Sequence, residues 1–375
     1  MHKKRCIKTD KMFLSFHKTF PTNQFYGLLV IFLGLSCKKT PDVDTYTPTP
    51  YSLEIPKLFQ EKLIDPIIPF DNPMTQEGVA LGEQLFFEKL LSGDRTQSCA
   101  SCHQPRRAFV DESRFSDGVA GTFGTRNTMP LFNLAWNYDE RFAWDGKELG
   151  LEQQAFEPIT NPDEMHGSWE AIIRRLEAHP DYPSRFEAAF GDDKIDSIRI
   201  VKALAQFERI LISANAKFDQ FLNQQVQLTP AEQNGLAVFM DEARGDCFHC
   251  HGSPNNPLWT DNQFHNNGLD TSFSDLGLGG VTGQASDNGK FRTPSLRNLS
   301  YTAPYMHDGR FATLEEVIAH YSNGLQPSST IDPLMKKVQQ GGVQLSEEDQ
   351  ADLIAFLKTL DDPQFINNSR FNINN

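Results

Sequence analysis

The stretch Cys99-Ala-Ser-Cys102-His103 places two thiols and an imidazole within five residues, and Cys247-Phe-His-Cys250-His251 repeats the pattern in the second half of the chain. Of the six cysteines, four lie in these clusters and two, Cys6 and Cys37, lie near the N-terminus. No cysteine is left over for structural disulfides, so whatever the clusters bind must help to organise the folded chain. A redox dithiol does not need a histidine directly after its second cysteine, and a structural zinc site needs four ligands in closed geometry. Attachment of haem c uses all three residues: both sulfurs form thioethers with the vinyl groups, and the imidazole is held beneath the iron. Two copies point to two covalent haem c groups, with His103 and His251 as the proximal iron ligands.

The duplication extends beyond the clusters. A helix signal precedes each one, beginning at Thr75 and at Thr229; in the second, Thr229 is the expected N-cap, Pro230 the first helical residue and Glu232 the closing member of a capping box. Downstream, Trp144-Asp145-Gly146 runs to Leu151-Glu152 at the same spacing as His307-Asp308-Gly309 to Leu314-Glu315. Ile198, Val201, Leu204 and Leu211 follow helical spacing between the halves and predict a helix joining two domains. A final helix is expected from Ser346, and no alternating strand pattern is evident. The fold class read from these signals is all-α: two mainly helical domains with one haem each, residues 56–225 and 226–366.

Six basic residues from Lys3 to Lys18 precede an apolar run from Phe25 to Leu35, which suits a signal-peptide core better than a membrane span. The run ends in Leu33-Gly34-Leu35-Ser36-Cys37, similar to a bacterial lipoprotein cleavage site, although Gly34 replaces the usual large apolar residue. Residues 1–37 thus read as an export leader with Cys37 as the lipidated residue, and 38–55, rich in Pro, Thr and Asp, as an extended tether. The expected location is the periplasm, with the membrane reached only through the lipid anchor. A formal charge of -14 excludes a nucleic-acid surface.

Sixth iron ligands distinguish an electron carrier from an enzyme, because a haem that activates peroxide keeps one face open. No histidine lies between Gln104 and Ala143, where Met129 is the only methionine, and His166 further on reads as a surface residue. For the second iron the candidates are Met306, Tyr321 and His307; by ligand chemistry alone Met306 is favoured.

Taken together, these residues resemble the bacterial di-haem cytochrome c peroxidase family, including its MauG branch, over nearly the whole mature chain. The resemblance rests on both haem motifs, Arg126-Asn127, Trp144-Asp145-Gly146, Gln154, Pro158-Ile159, Asn161-Pro-Asp-Glu164-Met165 and Thr302-Ala-Pro-Tyr-Met-His-Asp-Gly309. It implies two cytochrome c-like domains, an N-terminal haem that handles hydrogen peroxide and a C-terminal haem that receives electrons from a small cytochrome c or cupredoxin; a homodimer is the expected assembly. It further implies Gln154 and Glu164 as peroxide-side residues, Trp144 as a relay between the haems, and a calcium ion held by Asn127 with the carbonyls of Thr302 and Pro304.

The chain departs from the family's reductively activated members at two positions. Val119 stands where those enzymes carry a distal histidine, and Tyr321 where they carry the methionine fourteen residues after the histidine of His307-Asp308-Gly309; the tyrosine is as in the MauG branch. The resemblance therefore reverses the preference, to Tyr321 over Met306. A capping box formed by Thr313 and Glu316 agrees, since it sets Tyr321 two turns into a helix. The expected function is reduction of hydrogen peroxide to water. The rival readings are oxidation of side chains on a partner protein, as in the MauG branch, and a plain di-haem electron carrier.

Overall fold

Thr75 ends an extended segment and caps the helix Gln76–Phe87, its hydroxyl accepting from the Gly78 amide at 2.9 Å. This helix packs on Ser197–Arg209, whose own cap, Asp196, accepts from the Arg199 amide at 2.9 Å. The second half repeats the construction. Thr229 and Glu232 close the expected capping box at the head of Pro230–Met240, and Ser346 caps the partner helix Glu347–Lys358.

In both pairs the helices cross at a glycine. A Cβ on Gly82 would lie 1.9 Å from the Ala203 carbonyl oxygen, and one on Gly235 would lie 1.9 Å from that of Asp352. One turn further on, Phe86 meets Phe207 at a ring-centroid distance of 5.1 Å and Phe239 meets Phe356 at 5.4 Å. The same crossing, built from residues at matching offsets, shows the internal repeat in three dimensions. Gly235→Ala is expected to force these backbones apart and lower stability by about 1–3 kcal/mol, the usual range for overpacking; the check is the denaturant midpoint of the purified protein.

The computed structural model describes residues 46–371, apart from the side chain of Ala120. The leader, Cys37 and residues 38–45 of the tether lie outside the described residues. Two principal hydrophobic cores are present. The first runs from Met74 to Leu211 and takes in Phe365, Ile366 and Phe371 from the end of the chain; the second runs from Phe218 to Leu360. The chain therefore crosses between Leu211 and Phe218, ahead of the 225/226 boundary read from the sequence, because Phe218 is packed against Trp259 and Phe356.

That crossing is tied by two asparagines in equivalent contexts, Leu131-Phe-Asn133-Leu-Ala-Trp136 and Leu296-Arg-Asn298-Leu-Ser-Tyr301. Both have left-handed backbone (φ 57° and 62°) and both bind Ser213, Asn133 through the serine backbone and Asn298 through its hydroxyl. Beside them, Arg297 and Asp219 form a fully buried bidentate ion pair at 2.6 and 2.8 Å.

Three sequence expectations need correction. The helix Ser197–Arg209 is not a connector but a wall of the first core, with Ile200, Val201, Leu204 and Phe207 buried while Ile198 is 52% exposed. The tether is not free from residue 46 onward: Tyr51 donates its amide to Met74, Gln76 donates to Thr49, and Tyr46 bonds the Ala189 carbonyl. Extended backbone with distant partners looks the same in sequence as a loose linker. Finally, two small sheets exist among the described residues, Arg141–Phe142 with Glu148–Leu149 and Phe264–His265 with Phe291–Arg292. Two-residue strands are too short to show alternation, and the fold remains helix-rich with little sheet.

Candidate functional site

Two cavities account for the paired clusters. The first, of about 350 Å³, is lined by Cys99, Cys102 and His103 and, opposite them in sequence, by Gln154 and Glu164. The second, of about 210 Å³, is lined by Cys247, Cys250 and His251 together with Met306, His307 and Tyr321.

At the first cavity, consecutive left-handed residues Ala108 and Phe109 (φ 52° and 62°) turn the chain so that the Phe109 carbonyl accepts from His103 Nδ1 at 2.9 Å. A carbonyl can only accept, so Nδ1 carries the proton and Nε2 keeps a free lone pair, the tautomer a metal ligand requires. Burial pulls the His103 pKa below its ordinary value and keeps the ring neutral. Desolvation pushes the half-buried His251 down to about 4, but its Nδ1 has no hydrogen-bond partner among the described residues.

Burial pushes the thiols the other way, Cys102 up to about 11 and Cys247 up to about 12. Thiols that stay protonated at neutral pH are poor redox nucleophiles. Two cavities, each combining a thiol pair with a neutral, half-buried imidazole, fit haem c.

Glu164 lies in a loop held by its neighbours. The Asn161 side-chain amide donates to Glu164 Oε1 at 3.0 Å and to Glu157 Oε1 at 2.9 Å, bridging two carboxylates. Burial, reinforced by the charge of Glu157, pushes the Glu164 carboxyl up to about 7. Val119, itself buried, donates its amide to the Glu164 carbonyl at 2.8 Å. His166 is exposed, with φ 49°.

At the second cavity the capping box of Thr313 and Glu316 forms as expected on the helix Leu314–Ala319. The helix then widens into a π-turn, His320–Gly324, which carries Tyr321. Asn267 Nδ2 points between two of the candidate ligands, donating to the Tyr321 hydroxyl at 3.0 Å and approaching Met306 Sδ at 3.6 Å. Burial pushes the Tyr321 phenol up to about 12, and the Asn267 bond acts in the opposite direction. The His307 ring stacks on Phe291 at 3.6 Å and 9°.

Trp144 lines both cavities. Its Nε1 donates to the Asn127 carbonyl at 2.7 Å, and the Asn127 amide donates to His307 at 2.7 Å, so a backbone relay fastens the tryptophan to the second half. Arg126 adds an ion-pair bridge, to Asp145 at 2.6 Å and to Asp275 at 2.7 Å. The Asn127 side-chain nitrogen is engaged by the carbonyls of Ser113 and Arg114. Thr302 and Pro304 lie on the loop that leads to His307, and no hydrogen bond joins either to Asn127 among the described residues.

Sequence reasoning gave no role to Glu157, Asn161, Asn267 or Arg292. Asn161 stood in a recognised motif. Glu157 meets Asn161 only four residues away, whereas Asn267 meets Tyr321 across 54 residues and Arg292 meets Asn262 across 30, separations that carry no local signal.

Two cavities whose linings fit haem c, with Trp144 lining both, are the features of a di-haem redox protein. It belongs to the di-haem cytochrome c peroxidase family, whose profile matches residues 76–227. The methylamine utilization protein MauG of Methylorubrum extorquens is 38% identical over 298 residues, covering 78% of this chain and 80% of that one. The cytochrome c551 peroxidase of Nitrosomonas europaea is 32% identical, covering 80% and 86% respectively. Among solved structures, a MauG-like protein associated with microbial copper homeostasis superposes with a TM-score of 0.76 at 36% identity, covering 86% of this chain and 98% of that one. The family's function is di-haem peroxidase chemistry and its cofactor is haem c.

Proposed function

We propose that this chain reduces hydrogen peroxide to water at the His103 side, with electrons delivered by a small cytochrome c or cupredoxin to the His251 side. The observation that carries this reading is the inequality of the two cavities: the carboxyl of Glu164 and the amide of Gln154 line the first, whereas the phenol of Tyr321 lines the second. Haem c, when bound, supplies the metal that receives peroxide and exchanges electrons. His103, fixed through Phe109, would hold that metal from one side. Glu164 would take the proton from one peroxide oxygen and return it to the other, the departing oxygen; a carboxyl near neutrality suits both halves of that transfer. Gln154 would orient peroxide, and Trp144 would offer the aromatic bridge between cavities. The net reaction consumes two electrons and two protons per peroxide and yields two waters.

Val119 supports a first haem that is open as isolated, because its side chain cannot ligate iron and no prior reduction would be needed to displace it. Spectra of the diferric protein are expected to show one high-spin and one low-spin haem; two low-spin, six-coordinate haems would contradict the proposal.

Tyr321 is the proposed sixth ligand of the second haem, with Asn267 supporting the phenolate oxygen. Tyr321→Phe is expected to change the absorption and EPR signature of the low-spin haem, while Met306→Leu leaves it intact. The opposite result assigns the iron to Met306. A calcium ion at Asn127, Thr302 and Pro304, export to the periplasm with a lipid on Cys37, and a homodimer complete the proposal.

A second reading, oxidation of side chains on a partner protein, is favoured by Tyr321 and by the similarity to MauG proteins. Steady-state turnover of peroxide with a reduced small cytochrome separates the two. Negligible turnover supports side-chain oxidation, and turnover that persists unchanged in Glu164→Gln counts against the peroxide-side assignment. A di-haem carrier without catalysis would show no reaction with peroxide at all.

A further inference from the structure

Three arginines are buried among the described residues: Arg209, Arg292 and Arg297. Arg209 is held by Glu152 at 2.7 and 3.0 Å, and Arg297 by Asp219 at 2.6 and 2.8 Å, both in bidentate pairs. Arg292, 8% exposed, has no ion-pair partner among the described residues. Its Nη2 donates to the neutral Asn262 side chain at 2.6 Å, its guanidinium lies 5.7 Å from the Phe142 ring centroid, and its Nε is buried without any partner. The charge of Asp139 is felt there, but that carboxylate is already bonded by Gln263. Burial accordingly pulls Arg292 down to about 10.

A buried cation lacking a counter-ion is strongly disfavoured unless an anion arrives from elsewhere. The position of Arg292 indicates the source. Like Trp144, whose carbonyl accepts its backbone amide at 2.9 Å, Arg292 lines both cavities. Each haem c carries two carboxylates on its propionate arms.

We infer that Arg292 is a shared counter-cation for the two haems, binding cofactor carboxylate from its place between the cavities and raising the reduction potential of both. This rests on the reading of both cavities as haem c sites. A positive charge near iron disfavours the ferric form, so removing it stabilises ferric iron and lowers the potential; the released propionate then becomes able to bind a proton. The competing source is a free anion, since a pocket of about 40 Å³ beside Arg292 is also lined by Thr260, Asn262 and Ser295.

The test is spectroelectrochemical titration of the full-length, haem-loaded protein and its Arg292→Gln and Arg292→Lys variants between pH 6 and 8, with and without chloride, alongside haem counted by pyridine haemochrome. The expected result has both midpoint potentials lower in Arg292→Gln and newly dependent on pH, with Arg292→Lys close to the parent and none of these values sensitive to chloride. Unchanged potentials with two haems bound overturn the inference while leaving the haem reading intact. A shift at one haem only overturns the sharing, and chloride-dependent potentials in the parent assign Arg292 to a free anion. If Arg292→Gln fails to load haem, a loaded Arg292→Lys with parental potentials supports the charge requirement, whereas failure of both marks Arg292 as structural and overturns it. Absence of covalent haem from the parent overturns both readings.

Discussion

Replacing Asp219 by alanine is expected to lower stability by about 3–5 kcal/mol, because it leaves a buried guanidinium without its counter-charge. Arg297 is 0% and Asp219 1% exposed, so water cannot take the place of the lost carboxylate. The damage spreads through shared bonds: Asp219 Oδ2 also accepts from the Ala216 amide at 2.8 Å, at the point where the chain passes between cores. The Arg297 guanidinium would retain its Nε bond to the Pro257 carbonyl and its place 5.6 Å from the Phe59 ring centroid, neither of which supplies a negative charge. Urea unfolding of the haem-loaded protein measures the loss. The double variant Asp219→Leu/Arg297→Met is expected to recover most of it, since two apolar groups leave no buried charge. A loss below about 1 kcal/mol for the single variant would show that the pair is solvated in solution, contrary to its burial.

Glu164→Gln is expected to slow peroxide reduction by about 10²–10⁴-fold, the range for losing a positioned acid–base group. Glutamine preserves size and can still accept from Asn161, so the loss isolates proton transfer from packing. The pH dependence carries a sign. Hydrogen peroxide arrives with both protons, and Glu164 must be ionised to take one; below about 7 it is already protonated. The rate is therefore expected to rise as pH increases through about 7, and that limb should vanish in Glu164→Gln. Glu157→Gln removes the neighbouring charge that helps to hold the carboxyl up, so the limb should move to lower pH. A limb that stays in place in Glu164→Gln would assign the titration to another group.

The local signals were the legible ones. Thr75, Thr229, Thr313 and Ser346 cap their helices where the sequence placed them, since a cap is a contract among residues three apart. The duplication could be read from paired motifs, but its physical basis, a glycine under a carbonyl in each helix pair, needed coordinates. The same holds for the opening of the helix at Tyr321 into a π-turn, which no residue of that segment announces.

By itself, the sequence determined the chemistry: two Cys-x-x-Cys-His clusters, a carboxyl and an amide at set distances from Trp144, and a tyrosine where a thioether was the simpler guess. Only the tertiary structure decided which of these groups share a cavity and what charge they carry there. Glu164 near neutrality, Arg292 without a carboxylate and Trp144 lining both cavities are consequences of desolvation and of contacts between segments far apart in the chain. The free energy of a charge depends on what surrounds it, and those surroundings exist only once the chain has folded.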